Sequence, residues 1–271
     1  MILQFSKMQA LGNDFVVIDA VNHSINLSAD QIRFLADRHH GVGCDQVLLL
    51  TSAHNPQADF GYRIFNADGG EVYQCGNGAR CMGLFVQQKK LSTKKTIVLE
   101  TARDLLNVTC LDDNLVQADI AKPNFEPSSL PFLPERYPSD HLQFDVVNVG
   151  NPHCVILSDA KSESDMIAIG KMLNAHPAFP EGVNVEFVKI VSRNKIELTV
   201  YERGVGLTLA CGSGACAAVA VGRRSGHLDA VVTVQQPGGV LQVIWESLDS
   251  VIQLRGAAML VFDGKITHCR F

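Results

Sequence analysis

The sequence has no surplus of basic residues and no extended basic segment. Against 28 Asp and Glu it carries 23 Lys and Arg, which gives a formal charge of −5. Its basic residues form nothing longer than pairs such as Lys94-Lys95 and Arg223-Arg224. Proteins that bind nucleic acid usually present a basic face to the phosphates. The composition therefore argues against nucleic acid as a partner.

Long apolar runs are also missing. No segment reaches the roughly 20 consecutive apolar residues that span a membrane as a helix. Residues 1–15 lack the positive leader and apolar stretch of a secretory signal. With 46% apolar and 19% charged residues, the chain has the profile of a globular protein. We therefore expect a soluble, cytoplasmic protein with no membrane partner, folded as one large domain or two of ordinary size.

The cysteines lack the spacing of a redox pair, a disulfide framework or a metal site. Eight are scattered through the 271 residues, with no CxxC pair and no secretory context. Cys81 and Cys216 lie more than one helical turn beyond Cys75 and Cys211, on a different side of each predicted helix. Such pairs do not converge on one ion, so the sequence predicts no metal site.

What the sequence does have is a motif that occurs twice. CGNGA at 75–79 returns as CGSGA at 211–215, and the surrounding chain repeats with it. Residues with matching side chains recur 136 or 138 positions apart: Asn13 with Asn151, Gln46 with Asn184, Asn66 with Glu202, and Cys75 with Cys211. Two halves of one ancestral plan would each supply a cysteine and polar groups to a shared cleft.

Short β-branched runs separated by turn residues fill both halves and predict strands. Two helices are predicted at 28–40 and 164–175, and two more open at the CGxGA motifs. We therefore predict an α+β fold of two pseudo-symmetric domains, each a curved, mostly antiparallel β-sheet or barrel wrapped around a central helix. Half of the ten prolines fall within 122–138, which indicates a connector. The predicted domains are 1–118 and 119–263.

The start of a helix suits the chemistry of both motif cysteines. Its first turn has N–H groups without intrahelical partners and a partial positive charge. The motif glycines leave that backbone open to an anion. The same field favours a thiolate and moves a cysteine pKa from about 8.5 toward neutrality. A single CGxGA would be read as a glycine-rich turn with a buried cysteine, but two copies at matching positions favour a functional site. Neither copy contains the GxGxxG pattern of a dinucleotide site.

The segments LGNDFVVID, GCDQVL, FNADGGEVYQCGNGARC, VGNPHCV, GVNVEF and ERGVGLTLACGSGACAA, between Leu11 and Ala218, together resemble the diaminopimelate epimerase family. The resemblance implies interconversion of LL- and meso-2,6-diaminopimelate without pyridoxal phosphate or another cofactor. It also implies two α/β domains with the substrate between them, a homodimer, and a C-terminal tail at 264–271 that returns to the first domain.

Within this resemblance, one of Cys75 and Cys211 removes the Cα proton and the other delivers a proton to the opposite face. His153 and Glu202 match positions that tune the thiols. The remaining matched positions bind the substrate: Asn13, Gln46, Asn66, Gly76, Asn77, Asn151, Asn184, Glu202, Arg203, Gly212 and Ser213. Leu207 and Leu209 depart from the family pattern, in which ERGxGET is usual, so the loop before Cys211 is expected to be supported differently.

Three alternatives remain open from the sequence. A two-cysteine racemase of proline or hydroxyproline would have the same architecture, although Asn66, Asn184 and Arg203 would then have no distal charged end to hold. A non-catalytic anion-binding protein would use the two helix starts alone. A thiol redox protein is disfavoured by the lack of CxxC, yet two facing thiols could oxidise, so activity is expected to require a reductant.

Overall fold

The computed structural model describes residues 2–22, 25–73, 75–137, 142–158 and 161–267. Contacts between Cα atoms divide the chain into two compact units. The first unit comprises Met1–Asp119 and Gly256–Phe271, and the second comprises Ile120–Arg255. Whether autonomous domains begin and end at the predicted positions, 1–118 with 264–271 and 119–263, stays a prediction.

The described residues form seventeen strands and four α-helices. In chain order these are β1 (Leu3–Ala10), β2 (Asn13–Asp19), α1 (Ala29–Ala36), β3 (Gln46–Thr51), β4 (Phe60–Asn66), β5 (Glu71–Val72), α2 (Gly76–Gln88), β6 (Thr96–Glu100), β7 (Leu105–Cys110), β8 (Leu115–Ala121), β9 (Asp145–Asn148), β10 (Pro152–Leu157), α3 (Glu163–Asn174), β11 (Asn184–Ser192), β12 (Lys195–Glu202), β13 (Gly206–Thr208), α4 (Gly212–Arg224), β14 (Val231–Gln236), β15 (Gly239–Ile244), β16 (Ile252–Ala257) and β17 (Met259–Ile266).

In the first unit the strands surround helix α2. Strand β2 runs parallel to β3, β3 antiparallel to β4, and β4 parallel to β6, which continues antiparallel into β7. Strand β1 joins β2 and β17, antiparallel to both. Helix α2 is buried from Asn77 to Val86 and packs against β1, β7 and β17. The buried part of α2 includes two polar side chains, Asn77 and Arg80, so its burial follows from its place among the strands and not from a uniformly apolar sequence.

The second unit repeats that pairing order around helix α4. Strand β10 runs parallel to β11, β11 antiparallel to β12, and β12 parallel to β14, which continues antiparallel into β15. Helix α4 is buried at Gly212 and from Gly214 to Gly222, and it packs against β9, β10, β11 and β15. The same sequence of parallel and antiparallel pairings in both units confirms the predicted α+β class and its pseudo-symmetry.

The two outer helices begin where their caps are. Ser28 and Gln31 form a capping box at the start of α1, and Ser162 caps α3. Helix α1 ends at Ala36, earlier than predicted. Asp37 leaves the helical region with ψ 121°, and its carboxylate accepts the backbone N–H of His39 and His40 instead. The sequence pattern does not distinguish a turn centred on an aspartate from a further turn of helix, so the predicted helix was too long.

None of the helices within the described residues is long and apolar enough to cross a membrane. The segment with many prolines contains two short 3-10 turns, Pro127–Ser129 and Pro134–Arg136. Phe132 in this segment stacks on Phe179 with ring centroids 4.8 Å apart. Residues 122–137 of this segment therefore pack as part of the second unit. Residues 138–141 lie outside the described residues.

Candidate active site

Cys75 is the N-cap residue of helix α2. Its backbone is extended (φ −150°, ψ 106°), and its Sγ accepts the N–H of Gly78 at 3.3 Å. The residue is half-buried, and its Sγ lies 3.9 Å from Asn13 Oδ1. The predicted placement of this thiol at the start of a helix is thus observed.

Asn13 and Asn77 lie beside Cys75. The amide group of Asn77 donates to Asn13 Oδ1 at 3.5 Å, and Asn13 Nδ2 donates to Asp45 Oδ2 at 2.9 Å. The fully buried Arg80 donates to Asn77 Oδ1 at 2.8 Å and to the carbonyl of Gly76 at 3.3 Å. Four predicted site residues, Asn13, Cys75, Gly76 and Asn77, are therefore brought to the start of α2.

A charged network outside this group holds Asp45 in place. Arg38 bridges Asp45 and Asp14, at 2.8 Å from each, and Lys7 lies 2.6 Å from Asp14. Burial alone would raise the pKa of Asp14, but the hydrogen bonds from Arg38 and Lys7 outweigh it and hold that pKa well below its usual value. No sequence motif indicated this network.

Gln46 and Asn66 face each other across β3 and β4. Gln46 Nε2 donates to Asn66 Oδ1 at 2.8 Å. Beneath the first turn of α2 lies Tyr62, which is 2% exposed, with its hydroxyl 3.5 Å from the carbonyl oxygen of Cys75. Burial raises the pKa of Tyr62 well above its usual value, so the side chain is a neutral phenol. Sequence reasoning missed Tyr62.

Cys211 is the N-cap residue of helix α4, as Cys75 is of α2. Its N–H donates to Gln236 Oε1 at 2.8 Å, and its Sγ lies 3.5 Å from the hydroxyl of Ser213. The residue is only 7% exposed. The two motif cysteines therefore share a place in the fold but differ in their access to solvent.

The pKa of Cys211 is raised well above its usual value. Burial is the largest cause, and the carboxyl groups of Glu202 and Glu186 act in the same direction. The Ser213 hydroxyl and the Gly214 N–H favour the thiolate but do not outweigh them. The expectation of a pKa moved toward neutrality is therefore wrong for Cys211. At Cys211, burial and the acidic side chains of neighbouring strands outweigh the effect of the helix start, and the motif alone does not show them.

His153 is fully buried between two oxygen atoms. Its Nδ1 lies 2.6 Å from Glu186 Oε1 and its Nε2 lies 2.8 Å from Asn151 Oδ1. Burial raises the pKa of Glu186, although the neighbouring His153 opposes that shift. Both ring nitrogens are thus engaged by Glu186 and Asn151 rather than by the sulfur of Cys211. Glu186 was missed in the sequence, where its only signal is a charged residue between the buried Val185 and Phe187.

Asn184 and Arg203 are joined directly. Asn184 Oδ1 accepts the backbone N–H of Arg203 at 3.0 Å, and its Nδ2 donates to the carbonyl of Pro152 at 3.1 Å. The guanidinium group of Arg203 is exposed and donates to the carbonyl of Glu181 at 3.1 Å. The structure therefore anchors this arginine at its backbone and at one nitrogen of its head group.

Glu202 accepts a 2.6 Å hydrogen bond from the hydroxyl of Thr208. Leu207, where the family pattern has Glu, pairs across β12 and β13 with Tyr201. Leu209 is 57% exposed. The hydrogen bond from Thr208 to Glu202 thus holds the loop before Cys211 against the end of β12. The roles of Glu202 and of the other predicted residues toward a substrate stay predictions.

Within the described part of the chain, no group of three His, Cys, Asp or Glu side chains is placed to hold a metal ion. Seven cysteines there carry free thiols, at 44, 75, 81, 110, 154, 211 and 216. Cys269 lies outside the described residues.

The sequence is similar to known proteins along most of its length. A family model described as diaminopimelate epimerase matches residues 5–126 and 145–261. A diaminopimelate epimerase from Teredinibacter turnerae is 47% identical over 272 residues, covering 97% of this chain and 99% of that protein.

Two solved structures have a similar fold. A probable proline racemase from Agrobacterium radiobacter K84 superposes with a TM-score of 0.72 at 17% identity, over 99% of this chain and 94% of that one. A hydroxyproline epimerase from Agrobacterium vitis gives a TM-score of 0.72 at 15% identity, over 98% and 92%. At such identities they show the fold alone, whereas the family model and the relative at 47% identity show the family. The chain belongs to the diaminopimelate epimerase family.

Proposed function

We propose that this protein interconverts LL- and meso-2,6-diaminopimelate by a cofactor-independent proton transfer that uses Cys75 and Cys211. The main support is that each unit places a cysteine at the N-cap of a buried helix that opens with Gly-x-Gly. Inverting a carbon by proton transfer needs a base on one face and an acid on the other. Two thiols, one from each unit, would supply both.

Cys211 is suited to be the thiol that delivers a proton to Cα when LL-diaminopimelate is converted to the meso isomer. Its burial and the nearby Glu202 and Glu186 keep the proton on sulfur. Cys75 is less buried and accepts the N–H of Gly78, an interaction that stabilises a thiolate. We therefore propose Cys75 as the base in that direction, with the roles exchanged in the reverse reaction.

The helix starts would bind the α-carboxylate of the substrate. The proposed donors are the backbone amides of Gly76, Asn77, Gly212 and Ser213, which lie in the first turns of α2 and α4. Negative charge that develops at Cα during proton transfer would be stabilised by the same amides.

The far end of diaminopimelate carries a second ammonium and a second carboxylate. Arg203 would bind that carboxylate through two parallel hydrogen bonds, and Glu202 would bind the ammonium. Asn184 supports Arg203 through its backbone. The amides of Asn13, Gln46, Asn66 and Asn151 complete the proposed substrate contacts.

We also propose a cytoplasmic homodimer. Strand β17 supports the association, because alternate residues Met259 and Val261 are each 53% exposed. Exposed apolar side chains on one face of a strand favour burial against a second copy. The free thiols at Cys75 and Cys211 need a reducing compartment to stay reduced.

A racemase of proline or hydroxyproline is the second candidate, since solved proteins with those names share the fold. The two are separated by assaying LL-diaminopimelate and L-proline side by side in reducing buffer without added pyridoxal phosphate. Chiral chromatography should show meso-diaminopimelate accumulating and proline unchanged. Racemisation of proline at a comparable rate would favour the second candidate. If the protein binds diaminopimelate without turnover, and still binds it when both cysteine thiols are removed, the result would favour a non-catalytic anion-binding protein.

A further inference from the structure

The second unit contains a buried acid that the proposed proton transfer does not use. Glu186 and His153 are both fully buried and lie 2.6 Å apart. A methyl group added to Gly214 would lie 3.0 Å from Glu186 Oε1 and 3.3 Å from Cys211 Cβ. The carboxyl group is therefore packed directly against the first turn of α4. At the equivalent repeat position the first unit has Leu48, so this feature belongs to the second unit alone.

The hydrogen bonds fix how many protons the pair holds. Asn151 presents its amide oxygen to His153 Nε2 at 2.8 Å, and an amide oxygen only accepts. Nε2 therefore carries a proton. One further proton then lies between His153 Nδ1 and Glu186 Oε1, bound either to the ring or to the carboxyl group. In both forms the pair has no net charge, which is how a buried acid is best accommodated.

We propose that Glu186 is a positioning residue, which shares one proton with His153 and so holds the imidazole that orients the side chain of Asn151 toward the substrate. Asn151 gives its oxygen to His153, and its Nδ2 has no hydrogen-bond partner among the described residues. That NH₂ group is left to donate to the substrate. This role of Asn151 rests on the function proposed above, whereas the shared proton does not.

The pair also limits the negative charge near Cys211. Glu186 Oε2 has no hydrogen-bond partner within the described residues, so His153 is the neighbour that balances the charge of this carboxyl group. The other titratable groups that face Glu186 are Glu202 on β12, Cys211 on α4 and Cys154 on β10. Each of them would be disfavoured in its anionic form by an unbalanced carboxylate at Glu186.

Two substitutions distinguish two roles of Glu186: holding the imidazole ring of His153 in place and sharing a proton with it. Glu186→Leu introduces the residue that stands at the equivalent repeat position and removes both properties. Glu186→Gln keeps a hydrogen-bonding group of the same shape, which can donate to His153 Nδ1, but it has no proton to share. Glu197→Gln is the matched control, because Glu197 is an exposed glutamate on the neighbouring strand β12.

The test combines NMR of ¹⁵N-histidine-labelled protein with steady-state kinetics. In the wild type we expect His153, assigned with a His153→Gln variant, to show a protonated Nε2 and a strongly downfield proton shared at Nδ1. Glu186→Leu should lack that resonance. Its kcat/KM should be about tenfold lower than that of the wild type, mainly through a higher KM, because a misplaced binding group weakens substrate positioning. Glu186→Gln should lose the resonance while KM stays near the wild-type value. Glu197→Gln should change neither.

The outcomes distinguish this inference from the proposed function. A wild type inactive on diaminopimelate would refute the proposed function, and the NMR result would still decide whether the proton is shared. A Glu186→Leu variant with wild-type KM and an unchanged His153 resonance would overturn the role of Glu186. If that variant does not fold, an unchanged resonance in Glu186→Gln overturns it instead.

Discussion

Gly78, the third residue of helix α2, leaves no room for a side chain. A methyl group added to it would lie 2.4 Å from the hydroxyl of Tyr62 and 3.3 Å from Leu48 Cδ2. Tyr62 is only 2% exposed, so its ring has no free space to move into. Gly78→Ala must therefore displace either the tyrosine or the first turn of the helix, and that turn carries the N–H that donates to Cys75.

The size of the effect follows from that contact. The hydroxyl must withdraw by about 1 Å, from 2.4 Å to an ordinary contact of 3.4 Å. Overpacking a close-packed core costs about 1–3 kcal/mol, and alanine returns up to about 1 kcal/mol of helix propensity. We expect the free energy of unfolding of Gly78→Ala to fall by about 1–2 kcal/mol. Epimerase activity should fall as well, because the amide at Cys75 Sγ is displaced.

Tyr62→Phe removes the atom that the new methyl group meets. Alone, it loses the long 3.5 Å hydrogen bond to the carbonyl of Cys75, worth about 0.5–1 kcal/mol. In the double variant the methyl group takes the vacated space, so the two changes should couple favourably by about 1–2 kcal/mol. Urea unfolding of the wild type, both single variants and the double variant measures this coupling, and activity should recover in parallel.

Gly83→Ala is the control for overpacking elsewhere on the same helix. Its added methyl group would lie 2.4 Å from Val108 Cγ1, away from Cys75. It should destabilise the protein to a similar extent without changing kcat, and Tyr62→Phe should not rescue it. Additive effects at Gly78 and Tyr62, within about 0.5 kcal/mol, would refute the proposed packing at the start of α2.

Three further changes test other parts of the account. Arg203→Lys should raise the KM for diaminopimelate about tenfold with little change in kcat, since a lysine cannot form the paired hydrogen bonds to a carboxylate; an unchanged KM would remove Arg203 from the site. The hydrogen bond from Arg38 helps to keep the carboxylate of Asp14 charged below the ordinary pKa of 3.8. The contribution of Asp14 to the free energy of unfolding is therefore fully present above pH 3.8 and is lost as the pH falls through the lowered pKa. Asp14→Asn should therefore cost about 2 kcal/mol at neutral pH, and the difference from wild type should shrink in urea unfolding below pH 3.8; a constant difference contradicts this. Val261→Asp should convert the proposed dimer to a monomer in sedimentation velocity, whereas a retained dimer places the interface elsewhere.

The repeat predicted the main features of the fold and the two cysteines. Matching offsets located Cys75 and Cys211 at helix starts, and the structure places both as N-caps. The same offsets predicted pseudo-symmetric units, which the matched strand pairings confirm. Local sequence was enough here because the small residues of CGxGA mark where each helix begins, although only Cys75, and not Cys211, caps its helix through its side chain.

Features that depend on packing between distant segments were not predictable. Tyr62 and Glu186 occur in strands that read as ordinary buried runs, and only the folded sheet brings them beneath α2 and α4. The pKa of Cys211 was expected to fall, yet burial and two carboxyl groups from β11 and β12 raise it. A sequence motif shows the helix start but not the charges that other strands bring to it.

The central claim is that two thiols act together on one carbon, and isotope exchange tests it most directly. LL-diaminopimelate is incubated in D₂O with reductant and with wild type, Cys75→Ala or Cys211→Ala, and the products are analysed by chiral chromatography and mass spectrometry. Wild type should give meso-diaminopimelate that carries deuterium at the inverted carbon, and neither variant should epimerise in either direction. Substantial deuterated meso product from Cys211→Ala or Cys75→Ala would contradict the two-thiol mechanism.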